Sequence, residues 1–320
     1  MVAKTPGGAM MKNDEHLVAL PWSSYELLDS GDNMKLERFG DILLARPETQ
    51  AIWKKQRPEL WDDAHATFAP PAGGPDKKGL PADRQGRWNI KKSVPESWEL
   101  SWNDAHFNAR LTSFKHTGIF PEQAPNWVWI KDHVKDIGSP TSDVGLPMSY
   151  IPNVLNLFGY TGIASIVAAQ AGAHVTHVDA SKQSLDWAHE NARLSKISED
   201  AIRWIPDDAF AFVKREVRRD AKYDGIILDP PAFGRGAKGE VWKIEEDLPK
   251  LLNTLKKLLS EAPGSFFLVN GYAAGYAPRS FTQAVESAFG PTDGESGELH
   301  IKESSSERVI PAGIYVRFMR

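Results

Sequence analysis

Apolar and polar positions follow two different patterns on either side of about residue 140. Before it, short segments alternate apolar and polar residues with a period of two, which is typical of half-buried antiparallel strands. We predict strands at residues 97–101 and 107–114, a helix at residues 121–135, and a long loop at residues 68–87, where Pro and Gly are frequent. The first part of the chain is therefore predicted to be a small β-rich region.

A regular alternation of short apolar runs and amphipathic segments follows a loop at residues 138–148. The apolar runs predict strands at residues 153–158, 174–178, 202–205, 224–228 and 265–269. The amphipathic segments predict helices at residues 163–171, 181–194, 208–218 and 248–259, and the end of the chain predicts two strands within residues 298–320. Strands that alternate with helices form a mostly parallel sheet covered on both faces. We therefore predict an α/β, Rossmann-like fold with an antiparallel C-terminal strand.

Composition and charge exclude several classes of protein. The chain has 320 residues, a net charge of −4 and an isoelectric point of about 6.2. It is therefore not a strongly basic nucleic-acid-binding protein, although a local basic face stays compatible with RNA. The absence of Cys excludes disulfides, thiolate metal sites and cysteine nucleophiles. The sequence shows neither a signal-peptide pattern nor an apolar run long enough to span a bilayer, so a soluble cytoplasmic protein is expected.

Small and acidic residues follow the predicted strands at the ends where ligands bind in an open parallel sheet. After the first strand, Gly159 and Gly162 allow close approach of a ligand, although a tight strand-to-helix turn explains them equally well. The pattern is not GxGxxG, so the dinucleotide-binding fingerprint is absent. Asp179 follows the second strand and either binds ribose hydroxyls or simply ends the strand. Asp207 and Asp208 follow the third, where either contacts an adenine or caps a helix.

The most specific segment follows the fourth strand and reads Asp229, Pro230, Pro231, Ala232, Phe233. The two prolines fix a rigid turn that cannot continue the strand. The carboxylate can accept a hydrogen bond from a planar nitrogen donor, and the phenyl ring can stack on a flat one. A purely structural Pro-Pro loop is the alternative. All four features in order, each at a strand end, favour a nucleoside-binding site.

These segments resemble the motifs of class I S-adenosylmethionine-dependent methyltransferases. More narrowly, they are similar to those of the bacterial large-subunit ribosomal RNA methyltransferases of the Rlm type. The resemblance covers about residues 105–275 and is carried by TGIFPEQ at 117–123, NLFGYTG at 156–162, VDASKQSLDWAHENAR at 178–193 and DPPAF at 229–233. Asn156 and Tyr160 stand where many class I enzymes have an acid and a glycine, and the first 100 residues do not match the family's usual RNA-binding module.

The resemblance implies S-adenosylmethionine as the methyl donor, with no metal. It assigns the cofactor contacts to Thr117, Phe120, Gln123, Asn156, Phe158, Gly159, Tyr160, Thr161, Gly162, Asp179, Ala180, Ser181, Asp208, Ala209 and Asp229. It assigns the acceptor site to Asp229, Pro230 and Phe233, and it implies a base of RNA, in 23S ribosomal RNA, as the acceptor. Without Cys, methylation of cytosine C5 through a thiolate adduct is excluded, which favours a nitrogen, oxygen or non-covalent acceptor.

Three parts of the chain are then predicted. Residues 1–104 form a β-rich region and candidate substrate-recognition module. Residues 105–149 form a connecting strand and helix beside the cofactor, and residues 150–320 form the methyltransferase domain.

Two groups of basic residues are candidates for contact with RNA. The first consists of Lys77, Lys78, Arg84, Arg87, Lys91 and Lys92, with Trp88 among them, although such runs are more typical of a solvated loop. The second follows the fourth motif and consists of Arg235, Lys238 and Lys243, with Trp242. Five histidines show no spacing typical of metal ligands, namely His106, His116, His133, His174 and His177.

Two other functions stay open at this point. The acidic net charge and the unmatched N-terminal region suggest a methyltransferase that acts on a protein or a small metabolite. A catalytically silent nucleoside-binding module that helps to assemble RNA is the other alternative, and the intact segment 229–233 argues against it.

Overall fold

The computed structural model describes residues 11–69, 86–139, 150–235, 239, 241–272 and 275–320. The strands are β1 (Lys12–Ala19), β2 (Tyr25–Gly31), β3 (Met34–Phe39), β4 (Ile42–Pro47), β5 (Ala66–Ala69), β6 (Arg87–Ile90), β7 (Trp98–Trp102), β8 (Ala105–Ala109), β9 (Asn153–Leu157), β10 (His174–Asp179), β11 (Ile202–Pro206), β12 (Gly225–Leu228), β13 (Phe233–Arg235), β14 (Val241–Lys243), β15 (Phe266–Gly271), β16 (Gly294–Lys302) and β17 (Val309–Met319). The helices are α1 (Ala124–Gly138), α2 (Ile163–Gln170), α3 (Lys182–Leu194), α4 (Ala209–Arg218), α5 (Ile244–Leu255) and α6 (Pro278–Phe289), with short 3₁₀ helices at Pro58–Asp63 and Pro121–Gln123.

An eight-stranded sheet has the spatial order β1-β16-β17-β15-β12-β9-β10-β11. The strands β15, β12, β9, β10 and β11 are parallel to one another. Strand β17 is antiparallel to both β15 and β16, and β1 is parallel to β16. The predicted α/β fold with an antiparallel C-terminal strand is therefore confirmed.

Strand β9 lies in the middle of the parallel strands and aligns its neighbours. Leu157 of β9 stands opposite both Val178 of β10 and Leu228 of β12. The three strands therefore end at the same level, and the residues that follow them, among them Asp179 and Asp229, meet at one edge of the sheet. This edge is where the sequence predicted a ligand site.

Hydrophobic cores cover both faces of the eight-stranded sheet. Val154 and Leu155 are neighbours on β9 and belong to opposite cores, as the alternation of side chains along a strand requires. Helices α1 and α2 pack on the first face, where Ile166 is fully buried. Helices α4, α5 and α6 pack on the other, with Phe212 and Leu251 in its centre.

The N-terminal part is rich in strands, as predicted. Strands β2 to β6 form a five-stranded sheet in sequential order, and β7 and β8 form a hairpin. The hairpin packs on α3, because the backbone N–H of Asn108 donates to Asn191 Oδ1 at 2.8 Å and that of His106 donates to Ser195 Oγ at 2.8 Å. The division of the chain at residues 104 and 149 stays a prediction.

Two predicted elements differ in their bounds. The strand predicted at residues 107–114 is β8, which already ends at Ala109. Beyond it, the Thr112 hydroxyl accepts a hydrogen bond from the Phe114 N–H at 3.1 Å, a local bond that competes with strand pairing. The helix predicted at residues 248–259 is α5, which begins and ends four residues earlier, at Ile244 and Leu255. Its start is fixed by Asp247, whose carboxylate accepts the Lys243 N–H at 3.0 Å.

Other elements were not predicted at all, namely α6, β1 and the small antiparallel pair β13–β14. The loops predicted at residues 68–87 and 138–148 fall mostly on residues 70–85 and 140–149, outside the described residues. Among the described residues, no helix combines the length and apolar character needed to cross a membrane.

Candidate active site

A cleft opens where β9, β10 and β12 end, and it encloses about 540 Å³ of empty space including its mouth. Eight of the residues predicted to contact the cofactor line it: Phe120, Gln123, Asn156, Phe158, Gly159, Tyr160, Thr161 and Asp229. The structure therefore brings together three segments that lie far apart in the sequence.

The loop between β9 and α2 has an unusual backbone. Phe158 and Tyr160 have φ angles of 56° and 49°, and Gly162 has a φ of 84°. A left-handed conformation costs a residue with a side chain about 1–2 kcal/mol, and such strain concentrates at binding sites. Tyr160 thus adopts a conformation that glycine takes at a lower cost. Between the two, Gly159 has no room for a side chain, because a Cβ atom would lie 2.3 Å from the His177 ring.

Asp179 holds this loop in place. Its Oδ2 accepts the backbone N–H of Tyr160 at 2.9 Å, and its Oδ1 accepts that of Ser181 at 2.8 Å. Burial raises the pKa of the Asp179 carboxyl, and the two backbone bonds act in the opposite direction. A carboxylate has about four lone-pair directions, so two stay available to hydroxyl donors of a ligand.

Asn156 is oriented by a buried polar chain. Its Nδ2 donates to Ser165 Oγ at 2.8 Å, and this oxygen lies 2.9 Å from His177 Nδ1. Burial lowers the pKa of His177 to about 3, so the ring is neutral. Because its amide nitrogen is committed to Ser165, Asn156 keeps its Oδ1 for a donor in the cleft. The residue that replaces the usual acid thus presents a neutral acceptor there.

Two of the predicted site residues cap helices. Ser181 Oγ accepts the N–H of Ser184 at 3.2 Å and starts α3. Asp208 Oδ1 accepts the N–H of Ala211 at 2.8 Å and starts α4. Asp207 forms an ion pair with Arg215. Contact of Asp208 with an adenine stays a prediction.

Asp229 leaves β12 directly into the cleft. Burial raises the pKa of its carboxyl to about 6. Its side-chain oxygens have no protein hydrogen-bond partner among the described residues. Pro230 is buried behind it, and Phe233 begins β13. An acidic group in this environment is a strong proton acceptor when it is ionised.

Several predicted residues do not line the cleft, namely Thr117, Gly162, Asp179, Ala180, Ser181, Asp208, Ala209, Pro230 and Phe233. Thr117 is fully buried, and its hydroxyl has no hydrogen-bond partner in the described part of the chain. The Thr161 hydroxyl donates to the carbonyl of Gly118 at 2.6 Å, which joins segment 117–123 to the first motif.

Sequence reasoning missed one wall of the cleft. It consists of Asn126, Trp127 and Ile130 on α1 and Asn270 on β15. Asn126 Nδ2 donates to Asn270 Oδ1 at 2.8 Å, and Arg317 Nη1 donates to Asn126 Oδ1 at 3.2 Å. Asn270 follows the strand predicted at residues 265–269, so the strand-end argument could have found it. The α1 residues carry no such signal, because only packing decides which face of the helix meets the cleft.

The candidate RNA-binding groups are partly engaged within the protein. Lys77, Lys78, Arg84 and Lys238 lie outside the described residues. Lys92 pairs with Asp63 at 2.9 Å and Lys243 with Glu246 at 2.7 Å. The Trp88 indole donates to the Thr112 carbonyl at 2.8 Å and packs against Phe68, so its role is structural. His177 is likewise structural, because it is fully buried and its Nδ1 lies 2.9 Å from Ser165 Oγ.

Comparison with known proteins gives the family. The profile of the S-adenosylmethionine-dependent methyltransferase family matches residues 82–281. The crystal structure of an S-adenosylmethionine-dependent methyltransferase from Agrobacterium tumefaciens is 36% identical, has a TM-score of 0.85, and aligns over 99% of this chain and 97% of its own.

Two curated relatives share the name ribosomal RNA large subunit methyltransferase K/L. The protein from Alteromonas mediterranea is 29% identical over 72% of this chain and 31% of its own length. The protein from Shewanella frigidimarina is 34% identical over 49% of this chain and 20% of its own length. The match thus spans about a third or less of these relatives. From the family profile and the full-length structural match, the chain belongs to the S-adenosylmethionine-dependent methyltransferases, enzymes that take the transferred methyl group from S-adenosylmethionine.

Proposed function

We propose that this enzyme transfers a methyl group to a base of ribosomal RNA, in the large subunit, and that Asp229, Pro230 and Phe233 form the acceptor site. The observation that carries the proposal is the Asp229 carboxyl, which is half-buried, lacks a protein partner among the described residues, and faces the cleft. The names of the curated relatives support RNA as the substrate class. A ribosomal substrate agrees with the cytoplasmic location expected from the sequence.

The residues of the cleft fit S-adenosylmethionine. Asn156 offers a neutral oxygen acceptor that suits the ammonium of an amino acid. Asp179 has two lone-pair directions left for ribose hydroxyls. S-adenosylmethionine supplies a methyl group that its sulfonium has already activated, so the work of the protein is to position the acceptor.

Asp229 orients the acceptor and takes its proton. A carboxylate at this place accepts a hydrogen bond from an N–H of the base, which aims the nitrogen lone pair. Because burial raises the pKa of Asp229 to about 6, the carboxylate is a better base than an exposed one and is still ionised at neutral pH. Phe233 supplies a face on which the base can stack.

A row of aromatic rings supports an unpaired base as the acceptor. The rings of Tyr160 and Phe120 lie 5.7 Å apart, and those of Phe120 and Tyr272 lie 6.3 Å apart. Tyr272 is 40% exposed, and nearby Lys115 lies 5.6 Å above its ring. The row therefore leads from the cleft to the surface. Aromatic and cationic side chains arranged in this way bind single-stranded RNA by stacking and charge.

The test uses the purified full chain and tritiated S-adenosylmethionine. Ribosomal RNA from a strain that lacks the gene should take up label, and RNA from the wild-type strain should not, because its site is already methylated. Asp229→Ala is the control for transfer at the proposed site. Label in protein or metabolite pools, with none in either RNA, would replace RNA by another acceptor. Binding of the cofactor without any transfer would favour the silent module.

A further inference from the structure

Three side chains that bind metals meet on the edge of the eight-stranded sheet. His16 lies on β1, and Glu298 and His300 lie on the neighbouring strand β16. In the parallel register His16 stands opposite Glu298, and His300 follows two residues later. Residues two apart on a strand share a face. The three side chains therefore project on the same side, although they come from opposite ends of the chain.

Their distances are close to those of a coordination sphere. His300 Nε2 lies 2.8 Å from Glu298 Oε2, and the rings of His16 and His300 stack at 4.8 Å with an angle of 20°. One ligand atom from each residue lies within 4.8 Å of the other two. In a tetrahedral zinc site, metal–ligand bonds of about 2.0–2.2 Å separate the ligand atoms by about 3.3 Å. The exposed His16 side chain can close this difference by rotating about its own bonds. The ion takes the place of the proton in the hydrogen bond between His300 Nε2 and Glu298 Oε2, and that proton is released to solvent.

We propose that His16, Glu298 and His300 bind one divalent cation of the zinc class, with water as the fourth ligand. Two imidazoles and one carboxylate form a donor set that suits Zn²⁺, whereas Mg²⁺ and Ca²⁺ prefer oxygen ligands alone. His300 is 8% exposed and its position is fixed by packing, while His16 is exposed and gives the ion access from solvent.

Such an ion would hold β1 in the sheet. In the described structure β1 pairs with β16 on one side and forms the edge of the sheet on the other. It also contacts α1 and the 3₁₀ helix Pro121–Gln123, which carry Asn126 and Gln123 of the cleft wall. The ion would therefore link His16 to Glu298 and His300 and stabilise an edge strand that packs against the cleft wall. The role is structural, and it is independent of which substrate is methylated.

A matched control exists elsewhere in the chain. His106 Nδ1 lies 2.7 Å from Glu99 Oε1 in a His–Glu pair that is more exposed than His300 and Glu298. Among the described residues, this pair has no third ligand within reach, and a metal needs more than two protein ligands for useful affinity. Loss of His106 should therefore leave metal binding unchanged.

The test is a calorimetric titration of the metal-free full chain with Zn²⁺ alone, repeated with Co²⁺ to read coordination from its visible absorption. Wild type and His106→Ala should bind one ion with equal affinity and give a tetrahedral Co²⁺ spectrum. His16→Ala and Glu298→Gln should bind at least tenfold more weakly, and circular dichroism should show them folded. His16→Ala also removes an exposed side chain, so its fold should survive. Absence of binding to wild type, or equal binding by His16→Ala, would overturn the proposal and leave a plain His–Glu hydrogen bond.

Discussion

The indole Nε1 of Trp242 donates a 2.6 Å hydrogen bond to the carbonyl oxygen of Pro231. The same indole lies 5.0 Å from the ring of Phe158, centre to centre. The Trp242 side chain on β14 therefore contacts two loops of the site. One follows β12 and carries Asp229 and Pro231, and the other follows β9 and carries Phe158. The sequence had suggested an RNA contact for Trp242, but its burial and this bond give it a supporting role.

Trp242→Phe should slow methyl transfer without weakening the binding of the cofactor. The substitution keeps an aromatic ring against Phe158 but removes the bond to Pro231, worth about 0.5–1.5 kcal/mol. We expect a loss of about two- to tenfold in the single-turnover rate and a cofactor Kd within about twofold. Trp61→Phe is the matched control, because the Trp61 indole donates a 2.7 Å bond to Asp29 in the N-terminal part. Equal loss in both variants would mean that the bond has no special place in catalysis.

Asp179→Ala should weaken the binding of S-adenosylmethionine by about 2–4 kcal/mol. This is the free energy of two charge-assisted hydrogen bonds after partial replacement by water. The variant also leaves the N–H groups of Tyr160 and Ser181 without their acceptor, so thermal unfolding is measured alongside. Asp179→Asn keeps one acceptor oxygen, so its affinity for the cofactor should lie between those of wild type and Asp179→Ala. A folded Asp179→Ala variant with unchanged cofactor affinity in calorimetry would show that Asp179 only stabilises the loop and does not bind the cofactor.

Methyl transfer should depend on the ionised form of Asp229. Its pKa is raised to about 6, so the carboxylate is ionised above that pH and becomes protonated as the pH falls through it. The single-turnover rate should therefore decrease about tenfold per unit below about pH 6. Asp229→Asn should be slow and lose this dependence. A wild-type profile that stays level between about pH 5 and about pH 8 would exclude Asp229 as the proton acceptor.

Phe233→Ala should weaken the binding of the acceptor RNA and leave the binding of the cofactor nearly unchanged. A base that stacks on this ring gains about 1–3 kcal/mol, so the KM for RNA should rise while the cofactor Kd stays within about tenfold, or 1.4 kcal/mol. Phe233→Tyr keeps the stacking face and should restore RNA binding. If Phe233→Ala instead lost cofactor affinity in proportion to activity, the segment would be a wall of the cofactor site.

Glu122 should make the fold less stable at high pH. Burial raises its pKa from 4.5 to about 7, despite the opposing charges of Lys35 and Arg46. An acid with a raised folded pKa costs nothing below its unfolded pKa, and its cost grows as the pH rises from there through the folded pKa. Glu122→Gln should therefore be as stable as wild type near pH 4.5 and more stable at about pH 8, by at most about 3 kcal/mol.

Denaturant titration at the two pH values checks this, with the exposed Glu59→Gln as the control. A Glu122→Gln variant that loses stability equally at both pH values would show that the ionised carboxylate stabilises the fold by pairing with a cationic side chain.

The strand-end argument located most of the candidate site from the sequence, because parallel strands present their carboxyl ends at one edge. It found Gly159, Asp179 and Asp229, whose positions depend on local sequence order, whereas Asn156 came from the family resemblance. It failed where packing between distant segments decides. Trp127 reaches the cleft because α1 packs across the sheet, and β1 joins β16 from the other end of the chain. No periodicity encodes either contact.

Our proposed function is methylation of a base of large-subunit ribosomal RNA at the loop that carries Asp229. It is tested most directly by mass spectrometry of 23S ribosomal RNA nucleosides from a strain that lacks the gene, complemented with wild type or with Asp229→Ala. We predict that one methylated nucleoside disappears on deletion, returns with wild type, and does not return with Asp229→Ala at equal protein level. An unchanged set of methylated nucleosides in the deletion strain would contradict the claim.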